Sequence, residues 1–399
     1  MDHQNISTER FKLKNNQEQM KKEKGHRMKI EPFALERYFA KHEFSARYLL
    51  SSSDCEAFSM AELLSMADKG TNYLWNELNL GYTETPGHPL LRETIAEIYS
   101  GIDPQEILVL APAEGIFLLM HAVLEPGDHV VCTFPGYQSL FEVARSIGCE
   151  VSTWEPDESQ NWHFDLGYLE ANLRDETRLV VVNFPHNPTG AALSREDFAA
   201  LIDLVKKRGI YLLSDEMYRF LEVAPDSTLP AACELYERAF SLFGLSKTFG
   251  MPGLRIGWLA SQDQQALEQV SLLKDYTTIC SSAPSEILAI MALQSRETII
   301  AQQLERVRRN IAVLEEFFHE HLDLFLWNRP AGSSVCFPRM LTVQDTFAFC
   351  EQLVVETGIM LVPSRMFQFG DHHVRVGFGR KNLPEVLMRF EDYLDKHFK

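Results

Sequence analysis

One lysine of this chain stands in a segment suited to covalent chemistry on a phosphorylated aldehyde. Lys247 follows Ser246, precedes a glycine-containing turn and lies eight residues before Arg255. Its amine could form a Schiff base with the aldehyde carbon, while the serine hydroxyl and the guanidinium could bind the phosphate. The amine must lose its proton to react, so its surroundings must lower its pKa. Taken alone, the segment also fits a surface lysine before a loop.

Two further polar segments each follow an apolar run. Asn187 stands in the segment 183–190, whose Asn-Pro and Thr-Gly pairs are typical of a tight turn. Asp215 and Tyr218 follow the apolar run 210–213. Asn187 could donate a hydrogen bond from a position that the next proline holds rigid. Asp215 could pair with a protonated ring nitrogen or cap a helix, and Tyr218 would then face the same ligand.

Apolar periodicity predicts the elements that position these side chains. The clearest helix has Ser194 as N-cap, Asp197 three residues later and Gly209 just after its end. Apolar strands alternating with helices predict an α/β fold with a mostly parallel sheet, whose ligands bind at the carboxyl ends of the strands. The predicted strands are 107–110, 129–132, 179–182 and 210–213, and the predicted helices are 115–124, 138–147 and 194–208.

The pattern changes after residue 284. A long helical stretch, 285–321, is expected to bend near Arg296 and to precede shorter α+β material. We therefore expect a large domain at 61–289 and a smaller domain formed by 29–60 and 290–399.

Composition excludes several classes of protein. The chain has 399 residues, 45% of them hydrophobic and 24% charged, as in globular proteins. A net charge of -18 disfavours nucleic-acid binding, and no apolar run reaches the roughly 20 residues that span a membrane. Seven scattered cysteines without a C-x-x-C pair predict buried thiols in a reducing, cytoplasmic compartment. The polar residues 1–28 predict a disordered leader, with Met28 as an alternative start.

The polar segments, in their order, resemble the class I and II aminotransferase family of fold-type I pyridoxal phosphate (PLP) enzymes. The residues are Asn-Pro-Thr-Gly at 187–190, Ser-Asp-Glu-x-Tyr at 214–218, and Ser-Lys-Thr followed by an arginine within 246–255. The resemblance extends from about residue 30 to residue 395. It implies a large PLP-binding domain whose sheet is sandwiched by helices, a smaller α+β domain, and transfer of an amino group from an amino acid to a 2-oxo acid.

The resemblance also implies roles for the residues around the cofactor ring. Lys247 would form the internal aldimine and move the proton between substrate and cofactor. Asp215 would keep the pyridinium nitrogen protonated, and Asn187 and Tyr218 would donate hydrogen bonds to the phenolic oxygen. Tyr137 resembles the aromatic residue that stacks on the ring, although an ordinary loop tyrosine is the alternative.

Further roles concern the phosphate. Ser246, Arg255 and the backbone amides of Ala113 and Glu114 resemble its ligands, the amides because they begin a predicted helix. Tyr82 resembles the tyrosine that crosses a dimer interface to the neighbour's phosphate, which implies a homodimer.

The substrate side is less closely specified. Arg375 resembles the arginine that binds the substrate α-carboxylate, with Asn187 beside it, but it could also lie on a solvated strand face. His186 could contact substrate or pack in the core. The adjacent His372 and His373 make a poor metal pair, because neighbours in a strand face opposite sides.

The sequence departs from the family pattern at three places. Gly244 stands where a second phosphate-binding serine is common, Pro112 removes a backbone N–H, and 51–54 (Ser-Ser-Ser-Asp) replaces a glycine-bearing substrate segment. These departures keep open a lyase or cyclase similar to 1-aminocyclopropane-1-carboxylate synthase or capreomycidine synthase. A transcription regulator with an aminotransferase-like domain is a remote third alternative, because residues 1–28 are too short for a DNA-binding domain.

Overall fold

The structure, a computed structural model, describes residues 29–398, so the leader predicted at 1–28 lies outside it. From Pro32 onward the chain forms one compact unit. Before it, Lys29 and Glu31 form an ion pair of 3.6 Å.

The helices are α1 (Ala34–His42), α2 (Met60–Met66), α3 (Lys69–Asn76), α4 (Pro89–Ala96), α5 (Pro112–Val123), α6 (Ser139–Ile147), α7 (Leu166–Asn172), α8 (Arg195–Arg208), α9 (Ala232–Leu235), α10 (Gln264–Lys274), α11 (Ala283–Gln294), α12 (Arg296–Glu320), α13 (Thr346–Thr357) and α14 (Leu383–Phe398). The strands are β1 (Tyr48–Leu49), β2 (Ile107–Leu110), β3 (His129–Thr133), β4 (Glu150–Trp154), β5 (Thr177–Asn183), β6 (Tyr211–Asp215), β7 (Ala239–Gly244), β8 (Gly257–Ala260), β9 (Phe325–Leu326), β10 (Val335–Cys336), β11 (Arg339–Met340), β12 (Ile359–Met360), β13 (Val362–Pro363) and β14 (Val374–Gly377).

The central sheet has seven strands in the order β2-β8-β7-β6-β5-β3-β4. Strands β3 to β7 pair in parallel, and β8 is antiparallel to both of its neighbours. Alternate residues of β5 pack into different hydrophobic layers, Val180 and Val182 into one, Leu179 and Val181 into the other. The sheet is therefore covered on both faces, and the predicted mostly parallel α/β fold is confirmed.

Local sequence signals fix several helix ends. The Ser194 hydroxyl accepts a hydrogen bond from the Asp197 amide at 3.0 Å, and α8 ends at Gly209, whose φ is +65°. Helix α5 begins at Pro112, earlier than predicted, because proline suits the first turn of a helix. The predicted long helix is divided at Ser295, next to the expected bend.

Smaller sheets are built from the chain after residue 324 and from one early strand. Strand β1 pairs with β12, β9 pairs with β11, and β14 lies between β10 and β13. The domain boundaries near residues 60 and 290 stay a prediction. The seven cysteines are free thiols, six of them buried, and Cys280 is partly exposed.

Candidate active site

The carboxyl ends of β5 and β6, the segment after β7 and the start of α5 surround a cavity of about 370 Å³. Polar side chains converge here because parallel strands end at the same edge of the sheet. The predicted site residues that line it are Ala113, Tyr137, Asn187, Asp215, Tyr218, Ser246, Lys247, Arg255 and Arg375.

Lys247 presents its amine to the cavity. Its Nζ donates a hydrogen bond of 2.8 Å to Oγ of Ser53. Loss of hydration lowers the pKa of Lys247, and the Arg375 charge acts in the same direction, against the carboxylates of Asp54 and Glu36. The amine is therefore more readily deprotonated than that of a solvated lysine, and the surface-loop interpretation does not hold.

Asp215 ends β6 and is buried at the floor of the cavity. Its Oδ1 accepts a hydrogen bond of 3.1 Å from the Met217 amide. Burial raises the pKa of Asp215 to about 7, although this amide and the Lys247 charge both oppose the change. A cation placed against this carboxylate would lower the pKa again.

Asn183 ties the ends of two strands together. Its Nδ2 donates to the Asp215 carbonyl at 2.9 Å, and its Oδ1 accepts from the Asn187 amide at 2.8 Å. This residue, which sequence reasoning did not assign to the site, therefore positions Asn187 relative to Asp215.

Arg375 is fully buried in β14, not on a solvated face. Its Nη1 donates to Oδ1 of Asn187 at 3.2 Å, and its Nη2 donates to the Ser51 carbonyl at 2.9 Å. The ring of Phe39 lies 5.7 Å from the guanidinium carbon. A buried guanidinium held by neutral acceptors retains its charge for an anionic ligand.

Two tyrosines line the same cavity. The Tyr137 hydroxyl donates to Oε1 of Glu36 at 3.2 Å, and its ring lies 4.8 Å from that of Phe33. Tyr218 is buried, and burial raises the pKa of its hydroxyl, so this group remains a proton donor.

The residues predicted to bind phosphate are only partly brought together. Ser246, Arg255 and Ala113 line the cavity, and Arg255 has a φ of +53°. Glu114 is not among the lining residues, and its carboxylate accepts hydrogen bonds from the hydroxyls of Thr277 and Thr278.

Tyr82 lies apart from the Lys247 cavity. Its side chain is 88% exposed and borders a second cavity of about 240 Å³.

The departures at Gly244 and Pro112 are linked by packing. A Cβ at Gly244 would lie 3.1 Å from Cγ of Pro112 and 2.9 Å from Cα of Gly257. A Cβ at Gly257 would lie 2.8 Å from the same Pro112 atom. A serine at position 244 would therefore crowd the first turn of α5, so the glycine accompanies the proline.

His186 packs inside the protein. Its Nδ1 lies 2.7 Å from Oγ1 of Thr189, its ring lies 5.0 Å from that of Phe164, and it does not line the cavity. Burial lowers the pKa of His186 to about 3, so the ring is neutral. Within residues 29–398 no cluster of metal-ligating side chains is found.

Sequence reasoning missed the wall that α1 contributes. Glu36 and Phe39 of this helix and Glu43 just after it line the cavity. The spacing i, i+3, i+7 places the three on one helix face. That spacing can be seen in the sequence. No local pattern shows, however, that this helix face contacts a cavity whose other walls come from much later parts of the chain.

The cavity residues fit PLP. No described residue forms an ion pair with the buried Asp215 carboxylate, which suits a protonated ring nitrogen. Asn187 and Tyr218 offer donors, Lys247 offers an amine, and Arg255 offers a charge for a phosphate. An amine, a buried carboxylate and two arginines that line one cavity at the carboxyl ends of a parallel sheet are the arrangement expected of a PLP-binding α/β protein.

Comparison with known proteins agrees. The profile of the family "Aminotransferase class I and II" matches residues 49–390. Capreomycidine synthase of Streptomyces vinaceus is 31% identical over 368 residues, which cover 91% of this chain and 94% of that protein. Aspartate aminotransferase of Thermotoga maritima is 31% identical over 325 residues, 79% of this chain and 83% of that protein. A PLP-dependent aminotransferase from Streptococcus suis superposes with a TM-score of 0.87 at 30% identity, covering 93% of this chain and 100% of that structure.

The chain belongs to the class I and II aminotransferase family. It is a PLP-dependent aminotransferase whose substrates are an amino acid and a 2-oxo acid. No helix in the described part of the chain is long and apolar enough to cross a membrane.

Proposed function

We propose that amino transfer in this enzyme depends on Lys247, with Asp215 and Arg375 placing the cofactor and the substrate on either side of its amine. One observation carries the proposal: these three side chains line a single cavity, in which desolvation lowers the pKa of the lysine.

PLP supplies an aldehyde and an electron-accepting ring that make the α-proton of a bound amino acid acidic. Lys247 Nζ would take that proton from the substrate Cα and would later return a proton to the cofactor. A lowered pKa favours the neutral amine that accepts the proton. Ser53, 2.8 Å away, orients the amine.

The remaining lining residues would bind and orient the cofactor and the substrate. Asp215 would hold the proton on the ring nitrogen of bound PLP, and Asn187 and Tyr218 would donate to its phenolic oxygen. Arg375 would bind the substrate α-carboxylate through its guanidinium, and Tyr137 would pack against the ring; all five residues line the cavity.

Ser246, Arg255 and the start of α5 at Ala113 line the cavity together and would hold the phosphate of PLP. The amide of Glu114, in the same first turn of α5, would complete the set, although the side chain of Glu114 does not line the cavity. A helix N-terminus stabilises an anion through its free N–H groups.

The test is an absorbance titration of the PLP-loaded protein with amino acids, repeated on Lys247→Ala. The wild-type cofactor band is expected to shift to shorter wavelength with a reactive amino acid, and the variant is expected to lack this short-wavelength shift because no lysine moves the α-proton. Lys207→Ala removes an exposed lysine of α8 and is the matched control. A short-wavelength shift that survives in Lys247→Ala contradicts the assignment of the lysine.

Elimination or cyclisation is the second candidate, favoured by the 31% identity to capreomycidine synthase over 91% of this chain. The segment 51–54, part of which lines the cavity, is the departure that leaves room for it. Product analysis without a 2-oxo acid separates the two reactions. A lyase or cyclase turns over repeatedly under those conditions, whereas an aminotransferase stops after one half-reaction per site.

We infer that the active unit is a homodimer in which Tyr82 serves the partner's site. Tyr82, Leu80 and Tyr73 are large side chains exposed by 88%, 85% and 66%. Exposed apolar patches mark interfaces. Hybrid dimers of Lys247→Ala and Tyr82→Ala subunits would contain one intact site and regain activity. If Tyr82 acts within its own subunit, the hybrids remain inactive.

We also infer a cytoplasmic enzyme, since the seven cysteines are unpaired thiols, as expected in a reducing compartment. Recovery in the soluble cytoplasmic fraction with all thiols titratable after unfolding checks this. Recovery of disulfide-bonded protein contradicts it.

A further inference from the structure

The wall that α1 contributes to the cavity is acidic and includes a ring near Arg375, since the Phe39 ring lies 5.7 Å from its guanidinium carbon. Glu36 and Phe39 of the helix and Glu43 just after it share one face, and all three line the cavity with Lys247 and Arg375. Residues seven apart are two helical turns, or about 10 Å, from one another. Glu36 and Glu43 therefore come before and after Phe39 along this face.

This wall is held in place at both ends. The Ala34 amide donates to Oε1 of Gln138 at 2.8 Å, and the buried Tyr38 hydroxyl donates to the Leu361 carbonyl at 3.1 Å. His42 pairs with Glu351 at 2.6 Å. The acidic face is thus a fixed part of the site, and not a mobile surface segment.

Neither carboxylate of the wall forms an ion pair with a residue in the described part of the chain, although the charge of Lys247 acts on both of them. Among the described residues, the Glu36 carboxylate accepts one hydrogen bond, from the Tyr137 hydroxyl, and the Glu43 carboxylate makes neither a hydrogen bond nor an ion pair. Burial and the charges of Glu36 and Asp54 raise the pKa of Glu43, against the smaller opposing effects of the Lys247 and Arg380 charges. By contrast, Asp54 is neutralised by Arg380 at 2.7 Å.

Each positively charged side chain that lines the cavity already has a proposed role. Of the three that line it, Lys247 does the chemistry, Arg255 suits the phosphate and Arg375 suits the α-carboxylate. The Nε of Arg375 is fully buried without a hydrogen-bond partner among the described residues, which independently indicates a ligand at this position. A second substrate carboxylate would find no further cation there and would face Glu36 and Glu43.

We propose that this enzyme selects amino acids with a cationic side chain, a guanidinium or an ammonium group, bound by Glu36 and Glu43 while the apolar stem lies against Phe39. The inference rests on the proposed role of Arg375 in holding the α-carboxylate. A long basic side chain packs its methylene groups on apolar surface and keeps its charged end at polar groups, which matches this arrangement.

The test compares L-arginine with L-citrulline, which has nearly the same shape but no charge, and L-lysine with L-norleucine. L-Glutamate represents anionic substrates. The PLP-loaded full chain is titrated with each amino acid, and the rate of the absorbance change gives kcat/KM for the half-reaction. At least one cationic amino acid is expected to exceed its neutral counterpart by about tenfold or more, because a hydrogen bond between charged groups outweighs a neutral one.

Variants locate the source of the preference. Glu43→Gln and Glu36→Gln keep the side-chain shape and are each expected to lower the cationic-to-neutral ratio by about 10- to 100-fold. Glu316→Gln, on the exposed face of α12, removes the same charge elsewhere and is expected to keep the ratio. Calorimetric binding to Lys247→Ala, with and without Glu43→Gln, measures the same preference without turnover.

The outcomes separate the two proposals. A half-reaction with neutral or anionic amino acids but no cationic preference overturns this inference and leaves the proposed function intact. Equal losses for cationic and neutral amino acids in Glu43→Gln also overturn it. No spectral change and no binding with any amino acid overturns both.

Discussion

Asp215→Asn offers a quantitative test of the site's electrostatics. Burial raises the pKa of Asp215 from its ordinary value of 3.8 to about 7. A group whose pKa is raised on folding contributes stability below its unfolded pKa and loses it as the pH rises through the folded pKa. At about 1.4 kcal/mol per pKa unit, the apoprotein should lose about 4 kcal/mol between pH 4 and pH 8 through this one group.

Asparagine cannot ionise, and its side-chain oxygen can still accept from the Met217 amide. We therefore expect Asp215→Asn to be more stable than wild-type apoprotein at pH 8. The difference between the two proteins should grow by about 3 kcal/mol from pH 5 to pH 8.

Urea unfolding of both apoproteins at pH 5, 6, 7 and 8 measures this difference. Asp203→Asn, an exposed carboxylate on α8, controls for a change of net charge. The reasoning fails if the difference is independent of pH, or if the variant is less stable at pH 8. With PLP present the order should reverse, because the pyridinium nitrogen pairs with the aspartate only.

Three other substitutions test neighbouring contacts. Arg375→Lys keeps the charge but loses the bidentate guanidinium and its hydrogen bond to Asn187. The KM for the amino acid should therefore rise about 10- to 100-fold, with a smaller change in kcat. An unchanged KM would contradict carboxylate binding by Arg375. Asn183→Ala removes two buried hydrogen bonds. It should lower the free energy of unfolding in urea by about 1–3 kcal/mol and should also weaken PLP binding. If both quantities stay unchanged, Asn183 does not position the site. Gly250→Ala should destabilise the protein by more than about 2 kcal/mol, because φ at this position is +64° and a Cβ would lie 2.3 Å from the Glu56 carbonyl oxygen. A thermal midpoint equal to that of the wild type would show that the backbone can move to accommodate the methyl group.

The sequence predicts local structure well where one pattern decides it. Runs such as 179–182 are apolar on both faces because the strand is buried on both sides, and Ser194 and Gly209 carry the capping chemistry of α8. The strands β4, β7 and β8 were missed. The antiparallel direction of β8 follows from connections in space that no local spacing records.

The site divides in the same way. The sequence by itself indicated Asn187 and Asp215 as polar residues at or just beyond the ends of two predicted apolar strands. It indicated Lys247 through its residue type and its serine and arginine neighbours, without the strand β7 that precedes it. Only the tertiary structure decided that Glu36 and Glu43 face this lysine, because helix α1 reaches the cavity across some 200 residues of chain. The pKa values of Lys247 and Asp215 were likewise decided there, since desolvation depends on packing from every side and not on neighbours in sequence.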